Sequence, residues 1–477
     1  MRAKGLILLW FLAGCTTLET GRDEANAAAG TAKPHPSVAV SVQGGAITEL
    51  VPATGGRPPR VHVRAQSLDL RLELRDTGCA PSAVTFEVSH LPAGVQASWR
   101  PLLDAVLPEV AASREASGGA VDFLADPDDR DRTPLAAERT FDPQVEGTVR
   151  VWTVRTDRGA GRAELLPGVA PALTGEAGAC TTLEAAGATG LGAAALVVRH
   201  RLQRPIKNPF RFAVFGNNAG DGDRRRQITA AITAAASDTL PDRERVLFVV
   251  INGDLTEEGT ASELRAVSAA LDAELPMPWY ATVGERDLIS GATTSVVQAL
   301  GQTTYAIDAG ATRLMIMDSG DAAFTLKTFD LLDTWLGDTP LAWPTAPVPP
   351  ARLLITHTPP FDPYGTRGGG FKSRQDAARL VATLRRAQVP LVLTAQLARF
   401  QRQDVAGVEV IHAGGGGAPM EAGAHHWLTV DVGADCRPPG APGEPEGANC
   451  GERCGGGLWC DDGTCRPCVV VTRRDIE

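Results

Sequence analysis

Several features are scarce or missing in this chain of 477 residues, and each absence excludes a class of protein. Basic residues do not outnumber acidic ones, since 46 Lys and Arg stand against 56 Asp and Glu and give a net charge of −10. Nucleic-acid binding needs a concentrated basic surface, so that class of partner is excluded. No apolar run beyond the first residues reaches the roughly 20 residues of a transmembrane helix. No internal repeat stands out, and no Ser-His-Asp or Cys-His-Asp spacing offers a nucleophilic triad.

The first 15 residues have the pattern of an export signal. Arg2 and Lys4 precede a short apolar stretch at 6–12, and small residues follow it. The stretch is too short to span a membrane as a mature helix. The segment Leu12-Ala13-Gly14-Cys15 resembles the bacterial lipobox, which implies that the Cys15 thiol is acylated and becomes the first residue after cleavage. The alternative is an ordinary export signal with an incidental cysteine.

Acylation of Cys15 would decide where the protein resides. Several acyl chains bury enough methylene groups for stable anchoring, so we expect the mature chain to be held on a membrane without crossing it. Residues 16–36 are rich in Ala, Gly and Thr and are typical of a flexible tether. The sequence therefore predicts an exported lipoprotein of the bacterial cell envelope, on its periplasmic face or on the cell surface.

The cysteine count agrees with export to an oxidising compartment. Nine cysteines are present, and an even number remains when Cys15 is set aside, as expected of disulfide bonds. The remaining cysteines are Cys79, Cys180, Cys436, Cys450, Cys454, Cys460, Cys465 and Cys468. The segment 454–468 resembles small EGF-like or colipase-like knots. A half zinc ribbon at 465–468 is the alternative, although the tail contains no His. The spacing of the cysteines does not choose among the possible disulfide pairings.

Residues 37–205 lack helical periodicity over most of their length. Apolar segments bounded by Gly, Pro and Asp predict strands, and they lie at 38–42, 61–63, 68–74, 83–88, 147–154 and 193–200. This pattern indicates a β-sandwich of the immunoglobulin-like kind, with Cys79 and Cys180 as a candidate clamp. The Asp- and Arg-rich stretch at 109–138 is typical of a long loop or insertion.

The C-terminal half contains five short apolar runs, each of which ends in a polar loop. They lie at 211–215, 246–251, 279–283, 352–356 and 391–394. Their composition predicts strands buried on both faces, and helical periodicity predicts helices at 224–237, 263–275 and 376–387. Loops at the carboxyl ends of such strands are where α/β sheets place their chemistry.

The five loops follow a recognisable order of residues. They read Gly216-Asn217-Asn218-Ala219, Asn252-Gly253-Asp254, Gly284-Glu285-Arg286-Asp287, His357-Thr358-Pro359-Pro360 and Ala395-Gln396-Leu397-Ala398. This order resembles the calcineurin-like metallophosphoesterases, whose loops read D-x-H, G-D, G-N-H-D/E, a lone H and G-H-x-H. Segments 314–319 and 331–336 are similar to the strand and helix between the family's third and fourth motifs. The resemblance implies an α/β fold with four layers, α/β/β/α. The related purple acid phosphatases also carry a β-sandwich before the catalytic domain.

The resemblance assigns the first metal to positions that have lost their ligands. Two-metal hydrolysis needs a carboxylate that bridges two cations, and this position corresponds to Asp254. The first metal would also need the positions of Asn217, Ala219 and Ala398. Alanine has no donor atom, and a neutral amide neither carries charge nor replaces imidazole as a ligand. The resemblance therefore implies a degenerate first site.

The second metal's positions are better preserved, and they correspond to Asp254, Glu285, His357 and Gln396. This oxygen-rich set suits at most one divalent ion of the Mg²⁺, Mn²⁺ or Ca²⁺ type. The alternative is that Asp254 caps the loop or helix that follows it and that His357 is a satisfied histidine at a strand end.

Arg286 stands where the family has a histidine that contacts substrate and helps to protonate the leaving group. Arginine keeps its proton at physiological pH, but its planar fork binds phosphate bidentately. The side chain therefore either holds an anion without turning it over or forms an ion pair with Glu285, Asp287 or Asp254.

Three further histidines were candidates to replace lost ligands. His412 follows the apolar run 408–411 and is a candidate to reach the site. His425 and His426 open a final strand predicted at 426–432, where we expect both at the surface.

The sequence thus predicts five segments and leaves two functions open. The segments are a lipoprotein signal at 1–15, a tether at 16–36, a β-sandwich at 37–205, a metallophosphoesterase domain at 209–433 and a disulfide-rich module at 434–477. One function is a pseudoenzyme that binds a phosphate-containing ligand or an envelope protein, with Asp254, Arg286 and His357 lining a vestigial pocket. The other is a slow one-metal phosphoester hydrolase that uses the second-site residues.

Overall fold

The computed structural model divides into two compact units, one before and one after residue 204. It describes residues 31–35, 38–66, 69–76, 82–91, 95–104, 132–134, 139–146, 149–155, 196–203, 206, 209–237, 239–241, 243–291, 293–310, 312–337, 351–365, 368–433, 446, 458–461 and 464–476. Within these ranges no helix is long and apolar enough to cross a membrane. Residues 1–30, with Cys15, lie outside the described residues, so the signal and the lipid anchor stay predictions.

The N-terminal unit consists of strands only, as far as its residues are described. The strands are β1 (Thr31–His35), β2 (Val38–Gln43), β3 (Gly45–Val51), β4 (Arg60–Ala65), β5 (Asp69–Asp76), β6 (Ala83–Ser89), β7 (Gln96–Leu103), β8 (Thr133–Pro134), β9 (Arg139–Phe141), β10 (Gln144–Glu146), β11 (Val149–Arg155) and β12 (Leu196–Gln203). One sheet has the order β1-β2-β5-β12-β7-β8, with β9 also beside β7, and the other has the order β10-β11-β6-β4-β3. Each of the six predicted strand segments overlaps one of these strands.

The core of this unit draws its side chains from both sheets. On β5, Leu70, Leu72 and Leu74 are fully buried, and they share one cluster with Val61 and Phe86 of the other sheet. Alternate residues of a strand point to opposite faces, which explains the apolar period of two in β5. Cys79, Cys180 and most of 109–138 lie outside the described residues, so the immunoglobulin-like type and the clamp stay predictions.

The C-terminal unit mixes helices with strands. Its strands are β13 (Phe210–Phe215), β14 (Val246–Asn252), β15 (Trp279–Thr282), β16 (Tyr305–Ala309), β17 (Thr312–Met317), β18 (Ala351–Thr356), β19 (Leu391–Thr394), β20 (Phe400–Val405), β21 (Val408–Ala413), β22 (His426–Val432), β23 (Leu458–Asp461), β24 (Thr464–Pro467) and β25 (Val469–Asp475). Its helices are α1 (Gly222–Ala235), α2 (Ala261–Glu274), α3 (Thr293–Leu300), α4 (Leu326–Leu336) and α5 (Arg374–Arg386). All five predicted apolar runs form strands, and the predicted helices form within a few residues of their expected bounds.

Two mixed sheets build this unit, with the orders β15-β14-β13-β22-β25 and β16-β17-β18-β19-β21-β20. Helices α1, α2 and α3 share a core cluster with the first sheet, and α4 and α5 share one with the second. The sheets also contact each other, because Nδ2 of Asn252 donates to the carbonyls of Thr356 at 3.2 Å and Leu393 at 3.1 Å. The arrangement is therefore α/β, with helices against each of two facing sheets.

Local sequence explains where the helices begin. Thr260 and Glu263 form a capping box at the start of α2, in which each side chain accepts a hydrogen bond from the other residue's backbone N–H. The hydroxyl of Ser373 accepts a hydrogen bond from the N–H of Asp376 and thereby caps the start of α5.

Strand β25 changes the description of the C-terminal segment. The predicted disulfide-rich module at 434–477 included these residues, but β25 pairs with β22 from Val432↔Val469 to His426↔Asp475 and forms an edge of the first sheet. The N–H of Gly433 donates to the carbonyl of Cys468 at 2.8 Å. Residues 469–475 thus belong to this sheet and not to a separate module, which corrects the predicted boundary.

The cysteines at 436–468 are described only in part. Cys460 lies opposite Cys465 in the β23–β24 pair, and the Cys468 side chain is buried. Cys436, Cys450 and Cys454 lie outside the described residues, as do the side chains of Cys460 and Cys465. The disulfide framework therefore stays a prediction.

Candidate functional site

Asp254 lies at the carboxyl end of β14 and is only 3% exposed. Its backbone adopts a positive φ of 50°, which turns the chain sharply after Gly253. Its carbonyl accepts the N–H groups of Asn218 at 2.7 Å and Ala219 at 2.9 Å. These bonds hold the loop after β13 against the loop after β14, so the first two motif loops meet at this carboxylate.

His357 is fully buried at the end of β18 and faces Asp254. Its Nδ1 lies 2.8 Å from the carbonyl of Asn252, and because a carbonyl only accepts, Nδ1 carries the proton. Its Nε2 lies 3.5 Å from Oδ2 of Asp254. Burial lowers the pKa of His357, but the Asp254 carboxylate and the hydrogen bond to the Asn252 carbonyl outweigh burial and raise it to about 9. The imidazole is therefore cationic at neutral pH.

The pKa of Asp254 is shifted in the opposite direction, to a lower value. Burial raises the pKa of its carboxyl group, but the neighbouring charge of His357 and the hydrogen bond from the N–H of Arg286 lower it further than burial raises it. Oδ1 of Asp254 accepts that N–H at 3.0 Å. The side chain thus caps the third motif loop, whereas the alternative for Asp254 was a cap of the loop or helix that follows it.

Arg286 forms ion pairs with two carboxylates. Its Nε lies 3.8 Å from Oδ2 of Asp254, and its NH1 donates to Oε2 of Glu257. The pairing with Asp254 was one of the expected alternatives. Glu257 was missed, because it follows the second motif by three residues and carries no pattern that sets it apart from an ordinary surface glutamate.

Asp287, the last residue of the third motif, holds the second and third motif loops together through hydrogen bonds. Its Oδ1 accepts the N–H groups of Leu255 and Thr256, both at 2.9 Å, and the Thr256 hydroxyl at 2.8 Å. Its Oδ2 accepts the N–H of Gly284 at 3.0 Å. Burial, and next the charge of Asp254, raises the pKa of Asp287 to about 6 against the effect of these donors. The ion pair with Arg286 considered for Asp287 is replaced by this backbone role.

Two of the positions that the resemblance assigns to a first metal, Asn217 and Ala219, lie beside this cluster. Asn217 adopts a φ of 60°, and its N–H donates to the carbonyl of Gly253 at 3.0 Å. Ala219 is 2% exposed and Ala398 is 6% exposed. Neither alanine carries a side-chain donor atom, so this side of the pocket offers no metal ligand at these two positions.

The four residues of the expected single-metal site do not form one cluster. The Glu285 side chain is exposed. Gln396 accepts the hydroxyl of Thr358 at 3.4 Å. Among the described residues, no group of three or more His, Cys, Asp or Glu side chains could hold a metal ion. With Arg286 and cationic His357 already paired to Asp254, this donor set does not fit a divalent cation.

The other histidines are engaged away from Asp254. Thr394 Oγ1 lies 2.9 Å from Nδ1 of His412, and Gln403 Oε1 lies 3.4 Å from its Nε2. Burial, with a smaller effect of Arg399, lowers the pKa of His412 to about 4, so this ring is neutral. His426 opens β22 as predicted, but it is fully buried rather than at the surface. His425 is partly exposed.

No protein-family model matches the chain, and no curated protein does. Solved structures do match it at low similarity. A predicted phosphoesterase from Streptococcus pneumoniae is 12% identical, with 47% of this chain and 83% of that chain covered at a TM-score of 0.25. Phosphopantetheinyl hydrolase from Mycobacterium tuberculosis is 9% identical, with 43% and 89% covered at 0.27. GAP50, the anchor in the inner membrane complex of Plasmodium, is 13% identical, with 47% and 85% covered at 0.34. Phosphoesterases are thus among the structural neighbours, and at these TM-scores the likeness carries no conclusion about this site.

Proposed function

We propose that this protein is a lipid-anchored lipoprotein of the bacterial cell envelope whose C-terminal unit, a degenerate calcineurin-like phosphoesterase fold, binds a phosphate-bearing ligand without hydrolysing it. The fold assignment is supported by the order of the five motif loops at strand ends of two facing sheets. The binding role is supported by the side chains that now surround Asp254.

The observation that carries the proposal is that two positively charged side chains of the protein lie next to Asp254. Cationic His357 lies 3.5 Å from its Oδ2, and Nε of Arg286 lies 3.8 Å from the same atom. The Arg286 side chain is 41% exposed, so its fork can also reach a ligand from solvent. A partly exposed guanidinium beside a buried cation suits a phosphate group, which an arginine fork contacts through two parallel hydrogen bonds.

The same arrangement disfavours hydrolysis. Two-metal phosphoester cleavage requires a hydroxide made acidic by two cations and a clamp on the phosphoryl oxygens. Asn217, Ala219 and Ala398 provide no first-metal shell, and arginine cannot protonate a leaving group. A one-metal hydrolase is the second candidate from the sequence. It would need the Glu285 carboxylate to turn inward from its exposed position.

Metal content and phosphate binding together test this proposal. Purified wild-type protein should contain at most one divalent ion per chain and should hydrolyse aryl phosphates near the uncatalysed background. Phenyl phosphate should nevertheless bind, and Arg286→Gln should abolish that binding while unfolding at the same temperature as wild type. Turnover that rises with added Mn²⁺ and disappears in Glu285→Gln would instead establish the one-metal hydrolase.

The membrane is the proposed partner through Cys15, and an envelope protein is the alternative to a phosphate-bearing ligand as the partner of the pocket. Cys15→Ser should move the protein from the membrane fraction to the soluble exported fraction or leave it unprocessed. Unchanged processing and unchanged membrane partition in this variant would reject the lipid anchor without affecting the phosphate-binding proposal.

A further inference from the structure

We infer that Glu257 is a built-in competitor for the anion position of this pocket, so that a phosphate-bearing ligand must displace its carboxylate from Arg286. The inference rests on the proposed function, because it concerns the regulation of the same site. Glu257 lies outside the five motifs, and the resemblance assigns it no role.

The contact itself is a carboxylate on a guanidinium, the same pairing that a phosphate oxygen would make. NH1 of Arg286 donates to Oε2 of Glu257. The two side chains are 41% and 46% exposed, so the pair is in contact with solvent and can open without disturbing the core. Ion pairs at such exposure contribute little to stability, and a bidentate anionic ligand can therefore replace the internal carboxylate.

The position of Glu257 places this carboxylate between two motif loops. The backbone of its segment is held to the third loop, since the carbonyl of Glu258 accepts the N–H of Ser290 at 2.9 Å. On the other side, a Cβ added to Gly220 would lie 3.1 Å from Oε1 of Glu257. The carboxylate thus lies close to both the first and the third motif loop, where it contacts the partly exposed side chain of Arg286.

The charges near the pocket support competition rather than simple attraction. Asp254 and His357 neutralise each other, and Arg286 and Glu257 do the same, so these four groups sum to zero at neutral pH. The charge of buried Asp287 is met by four donors. Neutralising Glu257 would leave one uncompensated positive charge on Arg286. The carboxylates of Glu258 and Glu285 are also exposed nearby, but neither has an ion pair with Arg286 among the described contacts.

Glu257→Gln separates this inference from general electrostatics. The variant keeps the shape of the side chain and removes the charge that competes for Arg286. Glu258→Gln is the matched control, because it removes the same charge from the neighbouring exposed residue. Binding of inorganic phosphate and of phenyl phosphate is measured by calorimetry at low ionic strength for wild type, both single variants and the double variant Glu257→Gln/Arg286→Gln.

We expect Glu257→Gln to bind both probes about tenfold more tightly than wild type, and Glu258→Gln to change affinity less than about twofold. The double variant should lose the gain, because the released charge belongs to Arg286. Equal gains in both single variants, or a gain that survives in the double variant, would overturn the competitor role. Binding that depends on Arg286 but is unchanged in Glu257→Gln would overturn this inference alone. Failure of all variants to bind either probe would overturn the proposed function as well.

Discussion

Nε2 of His357 lies 3.5 Å from Oδ2 of Asp254, and the two side chains are 0% and 4% exposed. A buried carboxylate without a counter-charge is costly, and proteins normally pair it or use it to coordinate a metal. Here a histidine supplies the positive charge, at a strand end where the resemblance implies a metal. The charge of Asp254 is therefore balanced by the chain itself.

This pair predicts how stability depends on pH. The pKa of His357 is raised to about 9 in the folded protein, so its stabilising contribution is complete below its ordinary value of 6.5 and is lost as pH rises through about 9. The lowered pKa of Asp254 has the opposite effect, with stability lost as pH falls below its ordinary value of 3.8. His357→Gln should cost on the order of 3 kcal/mol of unfolding free energy at pH 7 and less at pH 10.

Urea unfolding at pH 7 and pH 10 measures this difference. His425→Gln is the control, because that residue is partly exposed and lies outside the pair. A loss of stability in His357→Gln that is the same at both pH values would show that the ring acts through packing and not through its charge.

Asp287 should be more important for stability than its position at the end of the third motif loop suggests. Replacing it by alanine leaves the N–H groups of Leu255, Thr256 and Gly284 without their acceptor in a buried place. Each unsatisfied buried donor costs about 1–3 kcal/mol, so we expect a loss of at least about 3 kcal/mol in urea unfolding. Asp330→Ala, at an exposed position of α4, should change stability by less than about 0.5 kcal/mol. Similar losses in the two variants would contradict the role assigned to Asp287.

Local patterns predicted most of the strands and helices but not the contacts that define the site. The run 246–251 is apolar throughout, and its burial between helices and a second sheet follows from that composition. Glu257 gave no comparable signal, and Asp287 stood out only as a motif residue and a possible partner of Arg286, because their contacts depend on loops that approach each other only after folding. His426 was wrongly expected at the surface. The polar pair of His425 and His426 at a strand start does not reveal that the Phe400 ring packs against the His426 ring, with 5.8 Å between the ring centroids.

The C-terminal strand could have been found from its composition. Val469, Val470, Val471 and Thr472 form a β-branched run, but the cysteines before it favoured assignment to a separate module. Alternation in β25 leaves Val471 8% exposed and its neighbour Val470 37% exposed. Val471→Asp should therefore cost more than about 2 kcal/mol of unfolding free energy, because it buries an unpaired charge. Val470→Asp is the matched control and should cost much less, and equal effects would show that β25 does not depend on its buried face.

The last prediction concerns the metal positions that the resemblance assigns. Asn217, Ala219, Gln396 and Ala398 occupy the positions that the resemblance assigns to metal ligands, and Arg286 now pairs with Asp254. Introducing Asn217→Asp, Ala219→His, Gln396→His and Ala398→His together should raise metal occupancy only slightly, because the guanidinium still competes for the bridging carboxylate. Adding Arg286→His should raise bound Mn²⁺ towards two ions per chain, as measured by elemental analysis after dialysis. A folded five-residue variant that stays metal-free would show that the assignment of the motif positions is wrong. Two tightly bound ions or rapid aryl-phosphate hydrolysis in the unmodified protein would show that other residues have taken over the lost ligands.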